Sequence, residues 1–300
     1  MVLERFMTKH LPGIESAIDK CLPGDTVYPE GLHQAMRYST LGGGKRLRGL
    51  LVLAAAEMVA KDGFAHLKKA AYRLAAAVEM LHAYSLIHDD LPCMDDDDYR
   101  RGKLANHKVF GEAAAILAGD ALLTESFGLL GQLEELGVPA PVVTKILREM
   151  AEAGGSRGLV GGQAVDLESE GKNISIDTLK YIHTHKTGAL FRAVLRCGAM
   201  LGGATAQELD AVTEYAECFG LCFQITDDIL DVVGDETKLG KKTGSDIEKQ
   251  KVTYVSLYGI DKARELAVDT MRKAKSAVDD FKPHSNVLCS LAEYVVGRDH

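Results

Sequence analysis

No stretch of this 300-residue chain reads as a linker. Its seven prolines form no Pro-rich tract, there is no Gly/Ser-rich run, and the one long block of a single charge is Asp95–Asp98. One domain over residues 1–300 is expected, with 46% hydrophobic residues to build its core. An excess of cationic charge is also missing. Lys and Arg number 35 against 43 Asp and Glu, a net charge of −8, which argues against nucleic acid or a membrane as partner. A local basic cluster can still serve an anionic substrate. The opening Met-Val-Leu-Glu-Arg-Phe has no basic segment leading into an apolar one, so no secretory signal is expected. The most apolar stretch, Leu50 to Ala60, carries Glu57 and is too short to span a bilayer. The six cysteines, at 21, 93, 197, 218, 222 and 289, make no Cys-x-x-Cys pair. Reduced thiols in a cytoplasmic protein are the expectation.

Alternating β-branched strands with hairpin signals are absent as well. Helical spacing is present instead: Leu47, Leu50, Leu51, Ala54 and Met58 recur at a 3.6-type period, as do Ala71, Leu74, Ala75, Val78 and Leu81, and Leu209, Val212, Ala216 and Phe219. Breaks are expected at Pro23-Gly24, Gly42 to Gly44, Gly154-Gly155, Gly161-Gly162, Gly202-Gly203 and from Gly234 to Gly244. The pattern predicts an all-α bundle of about ten helices.

Two acidic clusters stand out. In Phe223-Gln-Ile-Thr-Asp-Asp-Ile-Leu-Asp, Asp227 and Asp231 are i, i+4 neighbours with Gln224 one turn before them. Like charges at that spacing repel unless a cation lies between them, and oxygen ligands with room for water and phosphate suit Mg²⁺. The alternative, a solvated acidic helix end, fits poorly with the interleaved Phe223, Ile225, Ile229 and Leu230. The first cluster runs Asp89-Asp90-Leu-Pro-Cys-Met-Asp95 through Asp98, followed at once by Arg100 and Arg101. His82, Ser85, Leu86 and Asp89 share the preceding helix face. Pro92 must bend the chain, which could return Asp95 to the side of Asp89. Acids for a metal followed by guanidiniums for phosphate make a metal–diphosphate site. An EF-hand lacks its Gly and terminal Glu here, and a disordered acidic loop is the plainer alternative.

The remaining signals are weaker singly. Gly42-Gly43-Gly44-Lys45-Arg46-Leu47-Arg48 leaves backbone N–H groups free at Gly44 and sets Lys45 and Arg48 on one side, an anion site at a helix start. It is not a Walker A loop, and a solvated basic face would look the same. Gln163 and Asp166 lie one turn apart. Lys186 and Thr187 precede Gly188 at an expected helix break, where His183 and His185 read as structural or surface residues. Gly240-Lys241-Lys242-Thr-Gly244-Ser-Asp246 suits a basic loop closing over phosphate or a plain surface turn.

Together the motifs GGGKRLR, EMLHAYSLIHDDLPCMDDDDYRRGK, GEAAAILAGDALL, GGQAVDLESEGK, HKTGALFRA and FQITDDILDVVGDETKLGKKTGSD resemble the trans-isoprenyl diphosphate synthases, in particular their bacterial farnesyl diphosphate synthase branch. The likeness runs from about Met36 to Tyr258 and more loosely to both ends. It implies an all-α fold around a central cavity, a homodimer, and three Mg²⁺ per site with Mn²⁺ as a substitute. Asp89 and Asp95 would hold two of the ions, and Asp227 and Asp231 would face the third. Arg100, Lys186, Thr187, Gln224 and Lys241 would meet an allylic diphosphate; Gly44, Lys45, Arg48, His82 and Arg101 would meet isopentenyl diphosphate. Gly49 stands where the family usually has Pro, and is expected to loosen the helix start.

The implied reaction joins isopentenyl diphosphate to dimethylallyl or geranyl diphosphate, giving farnesyl diphosphate and diphosphate. Tyr84 lies five residues before Asp89, roughly 7–8 Å along a helix, where with Ser85 beside it the ring could close the cavity beneath the growing tail. That rise alone does not separate C10 from C15. The aromatic residue and the inserted Pro92-Cys93 pair resemble the C15 enzymes, with C10 or C20 as the alternatives. A terpene cyclase would not need Lys45, Arg48, His82 and Arg101. A non-catalytic regulatory subunit typically lacks one Asp cluster, and a metal-storing bundle has no use for the arginines after Asp98.

Overall fold

The computed structural model describes residues 2–234 and 251–298. Eleven helices of eleven or more residues dominate the described residues, joined by short ones and one two-residue hairpin. In chain order they are α1 (Val2–Cys21), α2 (Glu30–Thr40), α3 (Leu47–Ala60), α4 (Phe64–Asp89), β1 (Tyr99–Arg100), β2 (Lys103–Leu104), α5 (Asn106–Phe110), α6 (Glu112–Gly131) and α7 (Ala140–Gly154). Then come α8 (Leu159–Ser169), α9 (Ile176–Ile182), a π-helical turn (His183–Gly188), α10 (Ala189–Leu201), α11 (Ala206–Val233), α12 (Tyr254–Tyr258), α13 (Ile260–Ala277) and α14 (Asn286–Gly297). The expected all-α class is what the chain forms.

The centre is built from α3, α4, α10 and α11. Helix α3 is apolar all round, and Leu50 through Ala56 are buried, as a helix enclosed on every side must be. Small residues let its neighbours approach: Gly198 of α10 lies against the Val52 backbone of α3, where an added Cβ would stand 3.1 Å from the Val52 Cα. Phe191, Tyr215 and Phe219 fill the space between α10 and α11 with edge-on and stacked rings. Helix α11 starts from a capping box, with Thr205 Oγ1 accepting from the Glu208 N–H and the Glu208 carboxylate accepting from the Thr205 N–H.

Two expected breaks are not breaks. Gly161 and Gly162 lie inside α8, and the chain runs from α9 through the π-helical turn into α10 without a gap at Gly188. Gly162 is there for contact: an added Cβ would overlap the Lys186 amide nitrogen and stand 2.6 Å from the Lys186 Cα. Gly49 does not loosen α3 either. Its N–H donates to Glu79 Oε1 at 2.8 Å, a bond that proline could not make.

Candidate active site

The carboxyl-terminal end of α4 begins the site. His82, Ser85, Leu86 and Asp89 face one cleft of about 360 Å³. The helix stops at Asp89 and the chain doubles back, with the Asp95 N–H bonded to the Asp89 carbonyl at 2.8 Å. This is the bend Pro92 demanded, and it brings the Asp95 side chain into the cleft with Asp89. Burial, with Asp95 nearby, pushes the Asp89 carboxyl up to about 6, although Lys186 and Arg100 oppose the rise. Across the cleft, α11 presents Gln224, Asp227 and Asp231. Arg298 Nη2 reaches Asp227 Oδ1 at 2.9 Å, its guanidinium 4.1 Å from the Phe223 ring centroid. The adjacent Asp228, also on the cleft wall, accepts the Tyr254 N–H at 2.8 Å, which ties α12 to α11.

A third wall comes from α8 and the π-helical turn. One extra residue per turn displaces side chains from regular helical register, and here that turn carries Lys186 and Thr187 into the cleft. Lys186 Nζ lies 2.6 Å from Asp166 Oδ2, and Lys251 Nζ reaches the same oxygen at 3.2 Å and Asp95 at 3.9 Å. Burial would raise the Asp166 carboxyl, but the two ammonium groups outweigh it and hold it below the ordinary range. His183 is no surface residue: it is buried, lines the cleft and stacks on Tyr254 at 5.5 Å. Burial, with Lys186 adding to it, pushes its imidazole down to about 4.

The basic cluster divides. Arg48 enters the cleft, donating to His82 Nε2 at 2.9 Å and lying over the Phe191 ring. Burial brings Arg48 down to about 10, and burial together with Arg48 holds His82 well below its usual value, so the imidazole is neutral. Lys45 is not on the cleft wall: Arg46, in the left-handed region at φ 50° and bound by Glu15 at 2.7 and 3.0 Å, turns the chain so that Lys45 meets Tyr294. Arg101 also stands off the cleft, donating to the Gly43 carbonyl beside Gly44, whose φ of 117° favours glycine and which lies against that guanidinium. Arg100 does line the cleft, bonded to Asp90 and, at 3.0 Å, to Asp97.

Tyr84 is the main difference from expectation. It is buried but not on the cleft wall, because one residue of helix turns it about 100° away from Ser85, which is. Its ring instead meets His88 edge-on at 5.7 Å, and His88 in turn bonds the Ile116 carbonyl of α6. Lys241 and its loop lie outside the described residues. Three contributors were not singled out from the sequence: Lys251, the ion pair that makes Asp166 matter, and Arg298. Lys251 and Arg298 act over 85 and 71 residues of separation, and no local pattern marks them.

The donors facing the cleft from Asp89, Asp95, Asp227 and Asp231 are all oxygens, as a hard divalent cation requires. Gln163, with both amide atoms buried, and Nδ1 of His82 and of His183 find no hydrogen-bond partner among the described residues, so the walls have polar capacity for a bound ligand. Carboxylates on two sides with Arg48, Arg100, Lys186 and Lys251 between them are the donor set that an anion carried on metal ions would need.

The sequence profile of the polyprenyl synthetase family matches residues 29–287, and the chain belongs to that family. It is a short-chain trans-prenyl diphosphate synthase. A farnesyl diphosphate synthase of Geobacillus stearothermophilus is 42% identical over 99% of this chain and 98% of its own. A chloroplastic geranylgeranyl pyrophosphate synthase of Catharanthus roseus is 43% identical over 97% of this chain and 81% of its own. Among solved structures, an FPP/GFPP synthase of Zymomonas mobilis superposes with a TM-score of 0.86 at 37% identity, covering 98% of this chain and 99% of that one.

Proposed function

We propose that this chain condenses isopentenyl diphosphate with dimethylallyl and then geranyl diphosphate, releasing diphosphate and giving farnesyl diphosphate as its main product. The observation that carries the reading is the pair of carboxylate sets on opposite walls, Asp89 with Asp95 and Asp227 with Asp231, closed by the lysines on Asp166. These four aspartates would hold Mg²⁺, three ions in all, with Mn²⁺ able to replace them. When bound, the metal neutralises charge that builds on the departing diphosphate. The side chains supply the rest. Lys186 and Arg100 would leave their carboxylate partners for the allylic diphosphate, with Lys241 joining them. The Thr187 hydroxyl and the Gln224 amide oxygen would stabilise the allylic cation as the C–O bond breaks. Arg48 would hold isopentenyl diphosphate, oriented by neutral His82, with Gly44, Lys45 and Arg101 at its outer edge. The alkene of that substrate attacks the cation, and the released diphosphate takes the proton. His82 is too weak a base to compete for it.

The preference for C15 rests on Tyr84, buried between α4 and α6, and on the likeness to the Geobacillus enzyme. A C20 product is the second reading, favoured because Ser85 rather than Tyr84 faces the cleft. We also place the chain in the cytoplasm as one domain and a homodimer. Helix α6, the one described helix long and apolar enough to cross a membrane, packs one face inward and exposes Ile116 and Leu117 on the other, as an interface between copies would. The test is incubation with isopentenyl diphosphate and each allylic starter, then chromatography of the dephosphorylated products. Farnesol should dominate. Absence of any prenyl alcohol would refute the activity, and geranylgeraniol as the main product would refute the chain length.

A further inference from the structure

Outside the cleft, the turn that follows Asp95 carries a second grouping of metal-type donors. Asp96 sits in the left-handed region at φ 53°. Asp98 leads into the β1–β2 hairpin, which returns the chain to α5, and the Ala105 N–H closes the loop on the Asp98 carbonyl at 2.8 Å. Asn106 locks α5 to α2 through bonds to the Ala35 carbonyl at 2.8 Å and Ser39 Oγ at 2.7 Å. His107 is thereby fixed beneath the turn. One ring nitrogen of His107 and one oxygen each of Asp96 and Asp98 lie within 4.8 Å of one another.

The imidazole is the informative member. His107 is 6% exposed, yet among the described residues neither of its ring nitrogens has a hydrogen-bond partner. A buried imidazole pays a desolvation penalty for each nitrogen left unmet. The carboxylates above it are exposed and can rotate, whereas the ring cannot. With metal–nitrogen and metal–oxygen bonds of about 2.0–2.2 Å, three donors on one ion stand roughly 3–4 Å apart, so closure needs a shift on the order of an ångström from the exposed side chains. At present Lys108 Nζ holds Asp98 Oδ1 at 2.6 Å, a cation already seated at this edge.

We propose that Asp96, Asp98 and His107 form a divalent transition-metal site, distinct from the oxygen-only sets of the cleft and independent of the reaction proposed above. One imidazole and two carboxylates favour Mn²⁺, Fe²⁺, Co²⁺ or Zn²⁺ over Mg²⁺, because the nitrogen donor is too soft for Mg²⁺ to prefer it to water. Water completes the shell. The bound ion pins the turn after Asp95 to α5, and Lys108 gives up Asp98 to it.

The test is Mn²⁺ added to the full chain in a large excess of Mg²⁺, read by pulsed electron paramagnetic resonance for ¹⁴N coupling. Nitrogen-coupled Mn²⁺ should saturate at one ion per chain and disappear in His107→Gln. Lys108→Met should tighten binding roughly two- to fivefold, the worth of one exposed ion pair. Should His107→Gln lose its helical circular dichroism, Asp98→Asn on the exposed turn takes its place and should weaken Mn²⁺ binding tenfold or more. Wild-type protein without nitrogen coupling, the same coupling in folded His107→Gln, or unchanged affinity in Lys108→Met or Asp98→Asn would overturn the site.

Discussion

Replacing Gly162 by alanine tests whether the third wall of the cleft depends on backbone contact. The new methyl would overlap the Lys186 amide nitrogen and stand 2.6 Å from the Lys186 Cα and 2.8 Å from the His185 carbonyl carbon. All three are backbone atoms, which cannot rotate away as a side chain could. Comfortable carbon contacts begin near 3.5 Å, so α8 and the π-helical turn must part by roughly 1 Å. Overpacking of this kind costs about 1–3 kcal/mol. The functional effect is larger, because the Lys186–Asp166 contact of 2.6 Å spans that same junction. A displacement of ~1 Å of a positioning group can lower turnover on the order of 100-fold. Steady-state kinetics and thermal unfolding of Gly162→Ala measure both. Gly31→Ala, in the first turn of α2 with nothing near its added methyl, is the control and should leave turnover unchanged. Gly162→Ala with wild-type turnover and melting temperature would refute the argument.

Asp89→Ala or Asp227→Ala should lower turnover by several orders of magnitude with helical circular dichroism intact, and EDTA should abolish activity until Mg²⁺ is restored; near-wild-type turnover in either folded variant contradicts the metal assignment. Arg48→Ala should raise the KM for isopentenyl diphosphate far more than for the allylic substrate, and Lys186→Ala should chiefly lower kcat. Equal effects on both substrates would show the pockets to be misassigned. Tyr84→Ala should shift products toward C20 or longer, and an unchanged product from a stable variant would place the floor of the cavity on another helix. His183 holds its proton more weakly folded, at about 4, than unfolded, near 6.5, so the unfolded chain gains protons first on acidification. Stability from this group is therefore complete above pH 6.5 and falls by at most roughly 3 kcal/mol between there and pH 4. Urea titrations across that range should show a shallower decline in His183→Gln, and an identical pH slope would count against the burial argument.

Much of this was readable in the sequence for a physical reason: periodicity and short-range charge are local. The helices around Leu51, Leu74 and Phe219 follow from spacing alone, and Pro92 announced the bend that joins Asp95 to Asp89. What failed was side-chain direction and long-range company. A glycine pair reads as punctuation, although at Gly162 the missing Cβ serves a helix–backbone contact that only the third dimension reveals. Tyr84 and Ser85 are neighbours in sequence and face different layers. Lys45 has the charge for the cleft, but the left-handed turn at Arg46 seats it against Tyr294, off the cleft wall. His183 could be read as structural or surface, and nothing local shows that Tyr254 will cover it.

The arginine beyond α14 has a consequence for how the cleft is loaded. Arg298 sits on Asp227, Lys251 on Asp95 and Asp166, Lys186 on Asp166, and Arg100 on Asp90 and Asp97. Much of the negative charge in the cleft is thus held by cations of the same chain. A metal diphosphate would enter such a site by double displacement: the aspartates would turn from their partners to the metal, and the freed guanidinium and ammonium groups to the phosphate oxygens. Each half alone would carry a penalty, since metal without diphosphate would strand the cations and diphosphate without metal would strand the aspartates. Metal and substrate would then be thermodynamically coupled through the protein's own side chains, each raising the affinity for the other.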